Sequence, residues 1–306
     1  MESVSRMFRR LLVALGMAAA FSGLAADKRI VLIAGRPSHP PGMHEFRAGC
    51  LLFQHALSQV PGITVQVFSN GWPTKVEGDR KVDDNTQLEN ADALLIYADG
   101  GGGHPALQAD RLKFMDTLEA KGVGLGFAHY GVEVPKGDPG EAMHRWAGGY
   151  YEHLFSVNPM WKPDYTTFPE HPVTRGVKPF ATRDEWYFNM RWVPDEKAKS
   201  RLKSLLVAKP SDDVRKGPYV YPQGPYKHII AESGREETMM WVFERENGGR
   251  SFGFTGGHTH ANWGNANQRR ILLNALLWIA KVEVPVAGVA DGIADADLRA
   301  NLDAKK

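Results

Sequence analysis

The chain has 306 residues, of which 43% are hydrophobic, and 37 basic side chains against 35 acidic ones give a formal net charge of +2. A chain of this size and composition can bury a sizeable core within one elaborated domain. The balanced charge, with no long basic run after the N-terminus, argues against nucleic acid and favours a small neutral or polar ligand.

The first 26 residues have the pattern of an export signal. Three arginines between residues 6 and 10 form a basic start, residues 11–26 carry no charge, and small residues surround Ala25. The uncharged run is shorter than the ~20 residues that a membrane span needs. We therefore predict a signal peptide at 1–26, cleaved near Ala25 or Ala26, and an exported protein, periplasmic or extracellular, without a membrane segment after cleavage. An uncleaved anchor is the alternative.

The first half of the mature chain alternates strand and helix patterns. Short apolar runs predict strands, and amphipathic runs predict helices between them. The predicted strands are 29–35, 63–68, 91–97 and 123–128, and the predicted helices are 45–60 and 107–121. Cys50, the only cysteine, lies among apolar residues of the first helix, which favours a buried structural thiol over a nucleophile. The alternation predicts an α/β fold with a doubly wound, mostly parallel sheet and helices on both faces.

The second half is less regular. Residues 135–179 are rich in Gly, Pro, Trp and Tyr, and we predict a long insertion folded over the sheet edge. Its aromatic residues, with Trp161 as a candidate for substrate binding, would form one wall of a pocket. Further strands are predicted at 202–208, 228–232 and 239–244. The small, polar residues 287–306 predict a loosely ordered tail after a single domain at 27–286.

The segment 253–278 is the most informative part of the sequence. A buried strand ends at Gly256-Gly257, and the residues up to Asn265 offer cap chemistry for a helix. Ligands of open α/β sheets bind at the carboxyl ends of strands, so His258 and His260 lie where a site is expected. The alternative is that one of the two only caps or bonds the turn.

His129 lies at the centre of a second motif. Residues 126–131, GFAHYG, have the outline of a nucleophile elbow with histidine where Ser or Cys would stand. Acyl transfer through a covalent intermediate is thereby disfavoured, whereas metal ligation or proton transfer near pH 7 is favoured. Glu133 could orient His129 or act as a second catalytic group. A packed histidine at a tight turn is the alternative.

Four histidines follow predicted strands of one parallel sheet and should share its carboxyl rim. They are His44, His104, His129 and His258. Such a set could bind a catalytic divalent metal, zinc or manganese, with one coordination position open. No spaced ligand motif such as HExxH is present, so acid–base chemistry by the same histidines stays open.

Two further segments supply candidates for ligand binding. Asp99 and His104 flank four consecutive glycines that allow close backbone approach but match no phosphate-binding motif. Residues 184–192 combine acids, aromatics and a base in the way that proteins hold sugars, and we single out Glu185, Trp186, Tyr187 and Arg191. The alternative is ordinary core aromatics with a surface ion pair.

Five segments together resemble the ThuA-like (trehalose utilisation) proteins of the class I glutamine amidotransferase-like superfamily. They are GLGFAHYGVEVPKG, SVNPMW, HPVTRGVKPF, DEWYFNMRW and GFTGGHTHANW. The resemblance extends from Arg29 to about Pro285 and implies a flavodoxin-like fold. It places His129 at the superfamily's catalytic cysteine and His258 or His260 at its catalytic histidine. Since that cysteine is absent, glutamine hydrolysis is not implied.

These patterns lead to one functional prediction and one alternative. We predict an exported hydrolase, lyase or isomerase that acts on a carbohydrate or an oxidised sugar, the role that the resemblance implies. His129 and His258 would act as acid, base or metal ligands, with Glu133 and Glu185 assisting. The alternative is a periplasmic sugar-binding or accessory protein without catalysis.

Overall fold

A computed structural model of the chain describes residues 27–305, and the predicted signal peptide lies outside them. Seven strands form the central sheet: β1 (Lys28–Ala34), β2 (Ile63–Phe68), β3 (Ala93–Tyr97), β4 (Gly124–Ala128), β5 (Leu202–Ala208), β6 (Glu237–Glu244) and β7 (Arg250–Phe254). The strand order is β5-β6-β7-β4-β3-β1-β2. Only β6 runs in the direction opposite to the other six strands, so the predicted mostly parallel α/β sheet is confirmed.

Helices cover both faces of this sheet. They are α1 (Phe46–Leu57), α2 (Arg111–Ala120), α3 (Asp138–Ala147), α4 (Glu196–Lys199), α5 (Asp212–Lys216), α6 (Lys227–Ile230), α7 (Ala266–Ile279) and α8 (Asp295–Arg299). The inner strands β3 and β4 are buried along their whole length, which explains their unbroken apolar sequences. The two faces of the sheet accordingly pack into two separate apolar clusters, one against α1 and α7 and the other against α2 and α3.

The predicted end of a strand followed by a capped helix is confirmed at β7 and α7. The side chain of Asn265 accepts hydrogen bonds from the amides of Asn267 and Gln268 and so caps the helix. The apolar residues of the helix that recur at its period are fully buried: Ile271, Leu272, Ala275, Leu276 and Ile279. Cys50 is likewise buried in α1, and burial raises the pKa of its thiol, as expected of a structural cysteine.

Some local predictions were wrong. Residues 228–232 form the end of α6 and the turn after it and not a strand, because an apolar run of only three residues cannot distinguish helix from strand. Helix α2 begins at Arg111, not near 107, because Ala109 adopts a left-handed conformation with φ 50°. The 135–179 segment contains α3, whose apolar positions Ala142 and Trp146 do follow a helical period.

The rest of the 135–179 segment folds with later residues into short two-stranded pairs. Gly149–Tyr150 pairs with Arg191–Trp192, Met160–Trp161 with Asp184–Glu185, and Asp164–Tyr165 with Phe180–Ala181. A surface hairpin joins Thr74–Glu77 to Arg80–Asp83. The second pairing matters most for function, since it carries Glu185 back over the carboxyl edge of the sheet.

The segment after residue 286 differs from the loose tail that its composition predicted. Val289 is buried, helix α8 forms, and Asp291 makes a two-pronged ion pair with Arg269 of α7. Polar anchors, which apolar patterning does not reveal, fix this segment. Within residues 27–305 no helix combines the length and apolarity that crossing a membrane requires.

Candidate functional site

Three of the four predicted rim histidines converge at the carboxyl edge of the sheet. The Nε2 atom of His44 lies 2.9 Å from Nδ1 of His258 and 3.0 Å from Nε2 of His129. Glu185 completes the group, with Oε2 2.7 Å from Nδ1 of His258 and 4.0 Å from Nε2 of His129. All four side chains are buried, and we call them the histidine–glutamate cluster.

Local backbone geometry aims His129 into this cluster. His129 follows β4 directly and has φ 51°, the left-handed conformation that a residue at the apex of a strand-to-helix turn adopts. The turn needs glycine at position 131, because a Cβ there would lie 2.7 Å from the carbonyl oxygen of Ile96. The elbow outline in the sequence therefore corresponds to a real elbow that presents an imidazole.

A buried carboxylate fixes the loop that carries His258. Asp184 accepts hydrogen bonds from the amides of Gly257 at 2.8 Å and Thr259 at 2.9 Å, and its neighbour Glu185 enters the cluster. Asp184 is fully buried, so water could not take its place as the acceptor for these two amides if the carboxylate were removed. The acid pair found in the sequence thus has two roles, one holding the loop and one facing His258.

Asp184→Asn should lower the free energy of unfolding by about 1–3 kcal/mol, because one buried amide would then face an NH2 group instead of an acceptor. Urea denaturation of the full mature chain measures the change. Asp213→Asn is the matched control, since the Asp213 side chain is 95% exposed. A change no larger than that of the control would contradict the anchoring role.

Hydrogen bonds at Nδ1, the ring nitrogen that faces away from the cluster, define the tautomers of His44 and His129. Nδ1 of His44 lies 2.9 Å from a carboxylate oxygen of Asp99, and Nδ1 of His129 lies 3.1 Å from the carbonyl oxygen of Thr255. Both oxygens accept, so each Nδ1 carries the proton and each Nε2 presents a lone pair. These two Nε2 atoms face one another across 3.0 Å.

Burial keeps His44 and His129 of the cluster neutral. Desolvation, followed by the neighbouring imidazoles, lowers the pKa of His44 to about 2 and that of His129 well below its usual value. Desolvation also raises the pKa of Glu185, against the opposing effect of His258. Lone pairs that face each other in a dry site, beside a carboxylate, are the arrangement that a bound cation stabilises. The histidine–glutamate cluster could therefore hold a metal ion.

A cavity of about 550 Å³ opens above the cluster. His44, Glu185 and Tyr187 reach its floor from the cluster side, and the Tyr187 hydroxyl lies 3.3 Å from Nε2 of His129. Glu133 lines the wall, and burial, then the nearby charge of Glu185, raises its pKa to about 8. Most of the Glu133 carboxyl groups are therefore protonated at neutral pH.

The cavity wall also contains residues that the sequence analysis did not single out. They are His39, Tyr130, His153, Asn158 and Tyr221. Asn158 donates a hydrogen bond to Glu185 at 2.7 Å, and Tyr221 at the mouth is 71% exposed. These residues come from separate loops without a shared motif. Only the aromatic and polar character of these loops could have suggested them.

The other predicted site residues lie away from the cluster. His104 is buried, with Nε2 3.1 Å from the carbonyl oxygen of Gly131 and Nδ1 accepting from the amide of Ala106. His260 contacts the carbonyl oxygen of Leu298 at 3.1 Å. His104 thus supports the elbow turn, and His260 contacts the segment that carries α8.

The predicted sugar-binding aromatics are divided between the core and the cavity. Trp186 and Trp161 are buried, and their indole nitrogens donate to backbone carbonyl groups. Arg191 is engaged by both carboxylate oxygens of Glu152 and lies over the ring of Phe155. Of the four residues singled out in 184–192, Tyr187 and Glu185 alone line the cavity. Asp99 does not line this cavity but contacts Nδ1 of His44 at 2.9 Å and orients that ring.

Comparisons with known proteins agree with this architecture. A family model described as ThuA, trehalose utilisation, matches residues 54–279, well over half of the chain. The crystal structure of a ThuA-like protein from Bacteroides uniformis superposes with a TM-score of 0.55 at 14% identity, covering 86% of this chain and 95% of that one. That likeness supports the shared flavodoxin-like fold.

An AraC family transcriptional regulator from Pseudomonas putida also matches, at 17% identity over 34% of this chain and 66% of that chain. Its TM-score of 0.22 is too low to indicate a shared fold. None of the curated proteins compared with the chain matches it.

Proposed function

This chain belongs to the ThuA (trehalose utilisation) family, and we propose that it is an enzyme that processes a carbohydrate or an oxidised sugar. The observation that carries the proposal is the cavity above the histidine–glutamate cluster, with a protonated Glu133 in its wall. Its volume of about 550 Å³ is in the range of small-molecule sites. Perturbed acids and neutral imidazoles in such a cavity are typical of catalytic sites.

We further propose that the cluster binds zinc or manganese. Ligand atoms at about 2.1 Å from an ion lie about 3.0 Å apart at right angles and about 3.4 Å apart at tetrahedral angles. The nitrogen separations of 2.9 and 3.0 Å fit the right angles of octahedral manganese without change. Tetrahedral zinc would require the nitrogen atoms to move slightly further apart. Asp99 behind His44, and the Thr255 carbonyl behind His129, are outer partners of the kind that orient metal-binding imidazoles.

The chain's own residues would bind and orient the sugar. The hydroxyls of Tyr130 and Tyr187, and the ring of Tyr221 at the mouth, offer polar and flat surfaces together. Glu133 would move the proton, since a carboxyl group with a pKa of about 8 can donate near neutral pH and accept after ionisation. A bound divalent ion would supply Lewis acidity for a carbonyl or hydroxyl oxygen of the substrate.

Turnover of keto-sugars and disaccharides, with zinc or manganese supplied, tests the enzyme proposal. A competing proposal is a sugar-binding accessory protein, which the deep burial of His129 and His258 favours, because neither lines the cavity. Calorimetric binding of the same panel, without product, would support the accessory role over the enzyme.

Export remains a proposal that rests on residues 1–26. The mature protein should begin near Ala26 or Asp27, because the basic start, the uncharged run and the small residues before Ala26 match what signal peptidase recognises. N-terminal sequencing of protein from its native host measures this. A chain that begins at Met1 in that host would contradict cleavage.

A further inference from the structure

The loop that carries His44 is held on one side by the loop that carries His258. The amide of His44 donates to the carbonyl of His258 at 2.9 Å, and the amide of His260 donates to the carbonyl of Gly42 at 2.9 Å. An isolated bridge also pairs Met43 with Thr259. These contacts couple the two histidine loops through their backbones.

The other side of the same loop is held by residues from the end of the described chain. The ammonium group of Lys305 donates to the carbonyl oxygens of Met43 and His44, the latter at 3.2 Å, and lies 3.2 Å from the Glu45 carboxylate. The Lys305 side chain is 5% exposed and that of Glu45 is 1% exposed. Burying an ammonium group this deeply is costly unless polar partners surround it, and these oxygens supply them.

Glu45 links the turn before His44 to the chain segment that carries Lys305. Its Oε1 accepts from the amide of Gly42 at 2.9 Å, and its Oε2 accepts from the amide of Asp303 at 2.8 Å. Asp303 in turn accepts from Arg47 of α1 at 3.1 Å. The carboxylate therefore fixes both the turn before His44 and the chain that carries Lys305.

His44 needs such support because of its backbone. It has φ 47°, a left-handed conformation that residues with a Cβ rarely adopt and that persists only where the surroundings enforce it. Lys305 donates hydrogen bonds to the carbonyl oxygens of the two peptide groups that flank the Cα of His44. Without the cation the peptide could relax, and Nε2 of His44 would leave its position between His129 and His258.

We propose that Lys305 and Glu45 are positioning residues that hold His44 in the histidine–glutamate cluster. The effect on metal affinity rests on the proposed metal centre, whereas the effect on the loop does not. Among the described residues Lys305 makes its hydrogen bonds and ion pair with the loop backbone and with Glu45, so we infer that it acts mainly through the His44 backbone.

Lys305→Met, which keeps the apolar stem and removes the charge, tests the proposal in the full mature chain. We expect zinc and manganese affinity, measured by chelator competition, to fall at least about 10-fold, as for other outer partners of metal ligands. The visible spectrum of the Co²⁺-loaded variant should change shape at saturation. Lys305→Arg, which can still donate to both carbonyls, should restore most of the affinity. Lys199→Met, at an exposed lysine paired only with Glu196, is the matched control.

Unchanged affinity and an unchanged Co²⁺ spectrum in Lys305→Met would overturn the proposal. If that variant does not fold, the double change Glu45→Gln with Lys305→Met removes both buried charges and takes its place. Should the unaltered protein bind neither metal, the metal centre fails, and hydrogen exchange decides on the positioning role. Faster exchange of the His44 amide in the lysine variant than in the Lys199→Met control supports that role, and equal exchange rejects it.

Discussion

Replacing His258 by alanine should remove both the bound metal and turnover. His258 is in close contact with two other cluster members, Glu185 at 2.7 Å and His44 at 2.9 Å, and so links the carboxylate to the other imidazoles. Its loss leaves a vacancy beside a buried carboxylate, so we expect metal content to fall from near one equivalent to near zero. Turnover should fall by about 10³-fold or more, since the loss of outer partners alone costs about 10–100-fold.

His260→Ala is the matched control for this experiment. His260 lies two residues further along the same loop and is similarly buried, but its Nε2 contacts only the Leu298 carbonyl. Elemental analysis and sugar turnover should therefore differ between the two variants, whereas their circular dichroism spectra should be the same. Full metal content in folded His258→Ala would reject the proposed centre. Unchanged activity after chelation would instead leave acid–base catalysis by the same histidines.

The convergence of three histidines followed from strand direction alone. His129 and His258 come just after parallel strands β4 and β7, and His44 lies in the loop after β1, so all three belong to one edge whatever the strand order. The same argument failed for His104, because the loop turns its ring inward to bond the elbow. Strand direction predicts the edge but not the direction of each side chain.

Other parts of the site depend on contacts between distant residues. Glu185 reaches the cluster because its two-residue strand pairs with Met160–Trp161, a pairing too short to leave a periodic pattern. Lys305 and Glu45 meet across 260 positions of sequence through polar groups, and composition suggested a loose tail there. Short pairings and buried ion pairs are decided by tertiary packing, which single-sequence patterns do not encode.

Glu133→Gln should reduce turnover by about 10²- to 10⁴-fold, because it removes the proton that the cavity wall supplies but keeps the size and much of the polarity of the side chain. Glu141→Gln, at an exposed glutamate of α3, is the matched control. The plot of log kcat/KM against pH should also lose the inflection that we assign to Glu133, whose pKa is about 8 in the metal-free protein. Wild-type turnover in Glu133→Gln would remove this residue from the mechanism.

The same substitution should stabilise the metal-free protein, and the direction follows from proton linkage. Burial raises the pKa of Glu133 from 4.5 to about 8, so the unfolded chain releases this proton at lower pH than the folded protein does. Between those values the unfolded state binds fewer protons, and the free energy of unfolding falls as pH rises, by at most about 5 kcal/mol. Glutamine has no proton to release. Thermal unfolding of Glu133→Gln should therefore match the unaltered protein near pH 4.5 and exceed it by several degrees at pH 8. A difference that is constant across this range would show that Glu133 is not held protonated, and the proton-donor role would then lose its basis.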